Sequence, residues 1–530
     1  MADQKMISLT IEGRTVSVPE GTSILEASKV AGVLVPHYCY HPGLPVAAVC
    51  RMCLVEVEKM PKLAPSCATA VAEGQVVHVH SERAREARKG VLEFLLINHP
   101  LDCPICDQSG ECELQDYTFA EGRKDSRFLE PKRFNPVEDF GGDVIYVPNR
   151  CILCTRCVRF MDTVAKDTVL NVSERGDRAL IGKFEGKDLT HAWAGNVIDL
   201  CPVGALLSKD SLNKARAWEL DRTASICTGC SQGCNMILET RDNVVVRQRP
   251  RPNADVNEFF LCDYGRLNYR WLNRQDRAEF PMVRLQGNFA PADWEVALES
   301  AASLLNGRRA HVVASPGLSN EALFLLKQLV DRTGGTGVFR VRTGPEAPLP
   351  GVEDLALRAD RAPNVTGAEL LGFTRTERPF HGLGAGTSRP SRSSSAITST
   401  SPALDGVAGV IVIGTTLPLA LANGVSILLP IANVAEEEGT FTNLRGRVQR
   451  FLQAKAAPAL ARPSWFVLGD LVQLLGSPAA YYLASEVFAA LAAAQPEFRG
   501  LSYERLGLRG LPVLDAAAEA AAGVPAEAAR

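Results

Sequence analysis

No cysteine follows Cys262 in this 530-residue chain, although it is the fifteenth. The second half can therefore offer no thiolate to a metal centre. The chain also lacks a basic excess: 57 Lys and Arg against 60 Asp and Glu give a net charge of −3. That balance argues against a surface for nucleic acid or anionic lipid. No apolar leader opens the sequence. Met1-Ala2-Asp3-Gln4-Lys5 is polar and leads straight into a strand pattern, so no signal peptide and a cytoplasmic location are expected. Disulfides are rare there, and clustered cysteines point instead to metal or redox chemistry. No charged residue stands between Gly406 and Ala435, a span long enough to cross a bilayer. Pro418, Pro430, Asn423, Asn433, Thr415 and Thr416 break it into short apolar runs, so two buried strands joined by a loop are expected instead. Apolar content of 46% and charged content of 22% are ordinary for a globular protein, and the length requires three to five domains.

What is present is concentrated between Cys39 and Cys262. The cysteines fall into four groups: Cys39, Cys50, Cys53 and Cys67; Cys103, Cys106 and Cys112; Cys151, Cys154, Cys157 and Cys201; Cys227, Cys230, Cys234 and Cys262. The second group is one ligand short, and His99 lies four residues upstream of it. Counting His99 gives sixteen ligands, enough for four four-ligand sites with no thiol left over. Buried structural cysteines are the bland alternative, but four within 29 residues, as in the first group, make it a poor one. The third group, C-x2-C-x2-C with a distant Cys201-Pro202, has the spacing of a bacterial four-iron ferredoxin site. Zinc also takes four thiolates, but it favours two separated C-x2-C pairs over a triple plus one. His37, His41, His78 and His80 are surplus to the count and are read as ordinary loop or surface residues.

In chain order, residues 6–18 alternate around Glu12-Gly13-Arg14 and predict a hairpin. Residues 22–31 predict a helix capped by Thr22 or Ser23 and stopped by Gly32. With Leu54–Glu58 as a following strand, residues 1–80 read as a small β-grasp ferredoxin. Residues 82–98 predict an amphipathic helix whose Arg83, Arg85, Arg88 and Lys89 form a solvated face. It leads into the segment that carries His99 and its three cysteines, at 81–122. A connector with short strands covers 123–148, and a ferredoxin-like segment spans 140–212. A helix is expected around 209–220, and strands at 236–240 and 244–246 lie among the ligands of the fourth segment, 220–276.

Beyond that, helices at 294–305 and 319–330 alternate with strands at 311–314 and 338–341, so 277–530 predicts an α/β domain with a parallel sheet. Residues 385–402 have low complexity and read as a disordered insertion or an out-of-frame stretch. Gly382, Gly384 and Gly386 follow no strand and are not read as a nucleotide loop. Residues 516–530 form an alanine-rich tail, read as frayed.

The four spacings in this order resemble the large iron–sulfur subunit of the NADH-quinone oxidoreductase of bacterial respiratory complex I. Pro36-His37-Tyr38-Cys39-Tyr40-His41-Pro42, Cys50-Arg51-Met52-Cys53, Cys201-Pro202-Val203-Gly204 and Glu438-Gly439-Thr440-Phe441-Thr442-Asn443 carry the resemblance further. It implies one 2Fe-2S cluster on the first group and 4Fe-4S clusters on the other three, the second with His99 as a ligand. It implies a multidomain α+β and α/β fold that ends in a shortened molybdopterin-oxidoreductase-like domain without molybdenum. The implied role is an electron relay in the peripheral arm, on the cytoplasmic side of the inner membrane, touching the membrane only through the complex. An NADH- and FMN-binding subunit would supply electrons, and a ferredoxin-like two-cluster subunit would pass them toward quinone. The fourth cluster is expected to lie off the main path. Arg445 stands where the family usually has an acidic residue. Two other readings remain: an input module of an NAD-linked formate dehydrogenase or hydrogenase, and a zinc-bearing scaffold.

Overall fold

A computed structural model describes residues 5–377, 407–418, 421 and 423–513. The low-complexity stretch at 385–402, the Gly382–Gly386 motif and the tail at 516–530 lie outside those residues. The chain divides into two compact units, Met1–Leu220 with Leu349–Asp354, and Asp221–Pro348 with Leu355–Arg530.

The first unit begins with strands β1 (Met6–Ile11) and β2 (Arg14–Pro19), paired antiparallel. Glu12 (φ 48°) and Gly13 (φ 75°) turn between them, the left-handed pair that a tight hairpin needs. Helix α1 (Ile24–Val30) follows. Of the two candidate caps Ser23 is the one used, its side chain accepting from the Glu26 amide, and Gly32 (φ 67°) ends the helix as expected. Strands β3 (Leu54–Val57), β4 (Ala64–Pro65) and β5 (Val76–His78) complete a sheet of order β2-β1-β5-β3-β4, with β1 and β5 parallel. Ile11, Ile24, Leu25, Val55 and Val77 are buried between helix and sheet. This is the expected β-grasp arrangement, and it leaves the loop from 33 to 53 free to carry cysteines.

Helix α2 (Glu82–Leu96) is capped by Ser81. The solvated basic face predicted for it is wrong at Arg88, which is fully buried. Its Nε donates to Glu121 at 3.0 Å and its Nη1 to the carbonyls of Val79 at 2.9 Å and Leu54 at 3.3 Å. These contacts tie α2 to the sheet and to α3 (Glu113–Glu121), and losing one partner of such a buried pair is costly.

The connector's strands, Glu138–Gly141 and Val144–Tyr146, pair with each other, and the second also pairs with Leu206–Ser208. The helix expected around 209–220 is absent: only a single 3-10 turn forms, at Ala217–Glu219. The Asp143 carboxylate takes the Asp210 amide at 2.8 Å, and Asp107 takes the Asn213 amide at 2.6 Å. Asn213 (φ 61°) is left-handed, so these side chains hold a loop where local propensity alone favours a helix.

The second unit opens with an antiparallel sheet of Asp221–Ile226, Asn235–Arg241 and Val244–Pro250. The helix Trp294–Leu305 and the strand His311–Ala314 form where predicted. The next helix is Asn320–Arg332, capped by Ser319. The strand expected at 338–341 starts earlier, at Thr336–Phe339, where it pairs parallel with His311–Ala314. Ile411–Gly414 and Ile427–Pro430, from the uncharged span, are neighbouring parallel strands. Their sheet is mixed rather than parallel throughout, because the hairpin Met282–Leu285 and Asn288–Pro291 joins its edge antiparallel. Among the described residues, no helix is long and apolar enough to cross a membrane.

Candidate metal centres

The first group sits on the loops of the β-grasp sheet. Cys39, Cys53 and Cys67 are buried and Cys50 is half-buried. The Cys39 amide donates to Cys50 Sγ at 3.4 Å. The Cys39 thiol is in hydrogen-bonding contact with both Cys50 and Cys67, and Cys67 reaches Cys53. All four sulfurs thus share one site. The hydrogen bond from Cys67 lowers Cys53 to about 7, and the same contacts push Cys50 and Cys67 up. Ala48 (φ 53°) and Arg51 (φ 60°) hold left-handed backbone without being glycine. Such strain costs about 1–3 kcal/mol per residue and gathers where a ligand must be presented.

In the second group, Cys103 lies in a 3-10 turn and is exposed, Cys106 is buried, and Cys112 occupies the N-cap position of α3. Burial raises Cys106 and lifts Cys112 to about 11, with the other two thiols of the group adding to it. His99 follows α2, and burial pulls its imidazole down to about 4, with Lys132 and Arg150 acting in the same direction. The ring is therefore neutral, the form that ligates a metal. Its Nδ1 is buried without a hydrogen-bond partner among the described residues.

The third group is drawn together most clearly. Cys151, Cys154, Cys157 and Cys201 line one cavity with Tyr146 and Arg156. Leu153 (φ 53°) and Thr155 (φ 60°) turn the chain after each of the first two cysteines, and the Leu153 amide donates to Cys151 Sγ at 3.4 Å. Cys157 rides the short helix Arg156–Arg159, and Cys201 follows the helix Asn196–Leu200. Burial lifts Cys151 and Cys201 to about 11 and Cys154 to about 12. The Tyr146 hydroxyl is buried against Cys151.

The fourth group belongs to the second unit. Cys227, Cys230 and Cys234 occupy the loop between Asp221–Ile226 and Asn235–Arg241. Cys262 caps the helix Asp263–Leu267, its Sγ accepting from the Gly265 amide at 3.3 Å. A Cβ at Gly265 would stand 2.9 Å from Cys227 Sγ and 3.5 Å from Cys262 Sγ, so glycine lets these sulfurs approach. All four thiols are buried. Burial raises each of them, mutual repulsion adds for Cys227, Cys234 and Cys262, and Arg358 and Arg361 act oppositely on Cys230.

The donor sets fit iron–sulfur clusters. Soft thiolates, amides aimed at sulfur, and buried polar atoms with nothing to bond are what such groups require. Thiols held neutral by burial ionise when a cationic centre binds them. Among the described residues, no group of three or more His, Cys, Asp or Glu closes to single-ion geometry. The surplus histidines serve the loops as expected: His37 Nδ1 lies 2.8 Å from the Val35 carbonyl, and His41 accepts from the Gly43 amide at 3.2 Å.

The roles of three residues at these sites escaped the sequence reading. Gly204 is one: a Cβ there would lie 2.2 Å from Cys106 Sγ. Arg156 and Arg159 are the others. Arg156 donates to the carbonyls of Tyr40 at 2.8 Å and Leu200 at 3.3 Å, and pairs with Glu113 at 3.4 Å. It thereby touches the chain beside a ligand of each of the first three groups. The only signal for it was a charged residue inside a tight cysteine triple.

Known families match the chain in the same order. The 2Fe-2S iron-sulfur cluster binding domain matches residues 4–82 and the NADH-ubiquinone oxidoreductase-G iron-sulfur binding region matches 88–127. The ferredoxin-like domain of NADH-quinone oxidoreductase subunit 3 matches 141–207. The molybdopterin oxidoreductase Fe4S4 domain matches 220–274, and molybdopterin oxidoreductase matches 277–364 and 410–474. The multidomain class expected from the sequence is therefore met, and both 2Fe-2S and 4Fe-4S binding domains are present. The chain is 42% identical over 332 residues to the G-type subunit of the NADH-quinone oxidoreductase of Rickettsia felis, a match covering 62% of this chain and 49% of that protein. It is 44% identical over 339 residues to the mitochondrial NADH-ubiquinone oxidoreductase 78 kDa subunit of Candida albicans, covering 63% and 47%. The matched region is thus about half the length of these relatives. By the order of its domains and by this identity, the chain is similar to the large, G-type iron–sulfur subunits of NADH-quinone oxidoreductase over the matched region.

Proposed function

We propose that the chain is an electron-relay subunit of a proton-translocating NADH-quinone oxidoreductase, holding one 2Fe-2S and three 4Fe-4S clusters. The observation that carries this reading is the cavity lined by Cys151, Cys154, Cys157 and Cys201, with three further four-ligand sets around it in sequence. Cys39, Cys50, Cys53 and Cys67 hold the two-iron cluster. His99 with Cys103, Cys106 and Cys112, the cavity cysteines, and Cys227, Cys230, Cys234 and Cys262 hold the four-iron clusters. When bound, these groups supply one-electron transfer at potentials set by ligand charge, hydrogen bonds to sulfur and burial. The chain's own part is to present thiolates from strained loops, to direct amides at their sulfurs and to exclude water. Flavin and quinone sites belong to partner subunits, and the relay sits in the peripheral arm on the cytoplasmic side. The C-terminal domain packs and assembles without molybdenum. Exposed Leu101, Ile105 and Phe119 flank the second group and supply an apolar surface for a neighbouring subunit.

Anaerobic reconstitution of the full chain is expected to give about fourteen irons with matching sulfide. Stoichiometric zinc in their place would favour a scaffold instead. His99→Cys is expected to retain its cluster and to titrate at a lower potential, because a thiolate adds negative charge where a neutral imidazole stood. A His99→Ala chain with unaltered spectrum and midpoint would remove His99 from the ligand set.

A further inference from the structure

Resting on that cluster assignment, we propose that Arg159 is a positioning residue shared by the first and third clusters, fixing their separation and raising both potentials. Its Nη2 donates to the Cys39 carbonyl at 2.5 Å and to the Cys154 carbonyl at 3.3 Å. Its Nη1 donates to the Pro45 carbonyl at 2.5 Å and its Nε to Thr155 Oγ1 at 3.3 Å. One planar guanidinium therefore grips a ligand residue from each of two groups far apart in sequence. A lysine ammonium cannot reproduce that fork, though it can keep the charge.

Every one of these acceptors is neutral. Arg156, on the same short helix, is paired with Glu113. Among the described residues no carboxylate pairs with Arg159, and the residues it holds, Cys39 and Cys154, are candidate cluster ligands. A half-buried cation without a counter-ion is costly. Two thiolate-ligated clusters, each net negative, would supply the missing charge from both sides. A fixed positive charge between them stabilises the state with the added electron, so both potentials rise together.

The test uses the full chain, reconstituted anaerobically, as Arg159→Gln and Arg159→Lys. Iron content and redox titration followed by electron paramagnetic resonance are read on each. Arg159→Gln is expected to keep all iron and to lower the midpoints of the first and third clusters. The shift should be about tenfold in the reduction equilibrium, or ~59 mV for one electron. The second and fourth clusters should stay in place, and Arg159→Lys should stay near the wild-type midpoints. If Arg159→Gln instead loses iron from the first and third sites alone while Arg159→Lys keeps it, the positioning role is likewise supported. Unchanged midpoints with full iron, a shift confined to one cluster, iron loss spread over all sites, or identical behaviour of the two variants would each overturn the proposal. Absence of clusters from the wild-type chain would overturn the underlying assignment instead.

Discussion

A Gly204→Ala chain is expected to lose the His99 cluster while keeping the cluster on the Cys151–Cys201 cavity, although Gly204 lies only three residues after Cys201. The reason is steric. A Cβ on Gly204 would stand 2.2 Å from Cys106 Sγ, 3.1 Å from Gln108 Cβ and 3.7 Å from Arg150 Cδ. Ordinary contact begins near ~3.5 Å, so the sulfur must retreat by about 1 Å or more. A thiolate displaced that far leaves the ligand distance of ~2.3 Å typical of metal–thiolate bonds. Iron should fall by about four per chain, the resonance of the second cluster should vanish, and NADH–quinone turnover of the assembled complex should drop to background. Gly90→Ala is the control. Nothing lies within 4 Å of its Cβ position in α2, and alanine in a helix interior is favoured by about 0.5–1 kcal/mol. Full iron in Gly204→Ala would mean that Cys106 swings aside freely and that the close approach has no role.

This glycine illustrates which parts of the molecule were legible in the sequence. The candidate ligand sets rest on residue types at the short spacing that cluster chemistry demands, and counting to sixteen drew in His99 by arithmetic. Helices and strands with strong periodicity, such as Trp294–Leu305 and His311–Ala314, were equally plain. What could not be read depends on contacts across long separations. Arg88 looks like part of a solvated face until the Leu54 and Val79 carbonyls are brought to it. The stretch at 209–220 looks helical until Asp143 and Asp107 capture its amides. Arg159 looks like an ordinary exposed arginine until Cys39, 120 positions earlier, arrives beside it. In each case a charged or acidic side chain, ambiguous by itself, is assigned its role by a distant backbone group.

The C-terminal unit should grow less stable as pH rises from about 5 to 8, through two buried glutamates. Glu321 is fully buried: its Oε2 accepts the Thr440 amide at 2.9 Å, and its Oε1 accepts Thr440 Oγ1 at 2.9 Å and the Tyr503 hydroxyl at 2.8 Å. Glu437 accepts the Ser464 amide at 2.6 Å and Ser464 Oγ at 3.0 Å. Burial lifts Glu321 to about 7 and Glu437 to about 8, and the charges of Glu321 and Glu436 add to the latter. Neighbouring Glu436 pairs with Arg277 at 2.7 Å and Lys455 at 3.3 Å. Both raised carboxyls hold protons in the folded state at pH values where the unfolded chain, near ~4.3, has released them. The folded state therefore binds more protons between about 4.5 and 8, and its stability falls as pH rises through that window. At ~1.4 kcal/mol per pK unit, the two together contribute on the order of several kcal/mol. Glu437→Gln keeps the shape and an acceptor for Ser464 but cannot ionise, so it should flatten the dependence and stabilise the unit at pH 8. Urea unfolding of the full chain at pH 5.5 and 8, followed by tryptophan fluorescence, checks this, since Trp465 is buried beside Ser464. If Glu437→Gln loses as much stability over that interval as the wild-type chain, Glu437 does not titrate there and the pH dependence must arise from other groups.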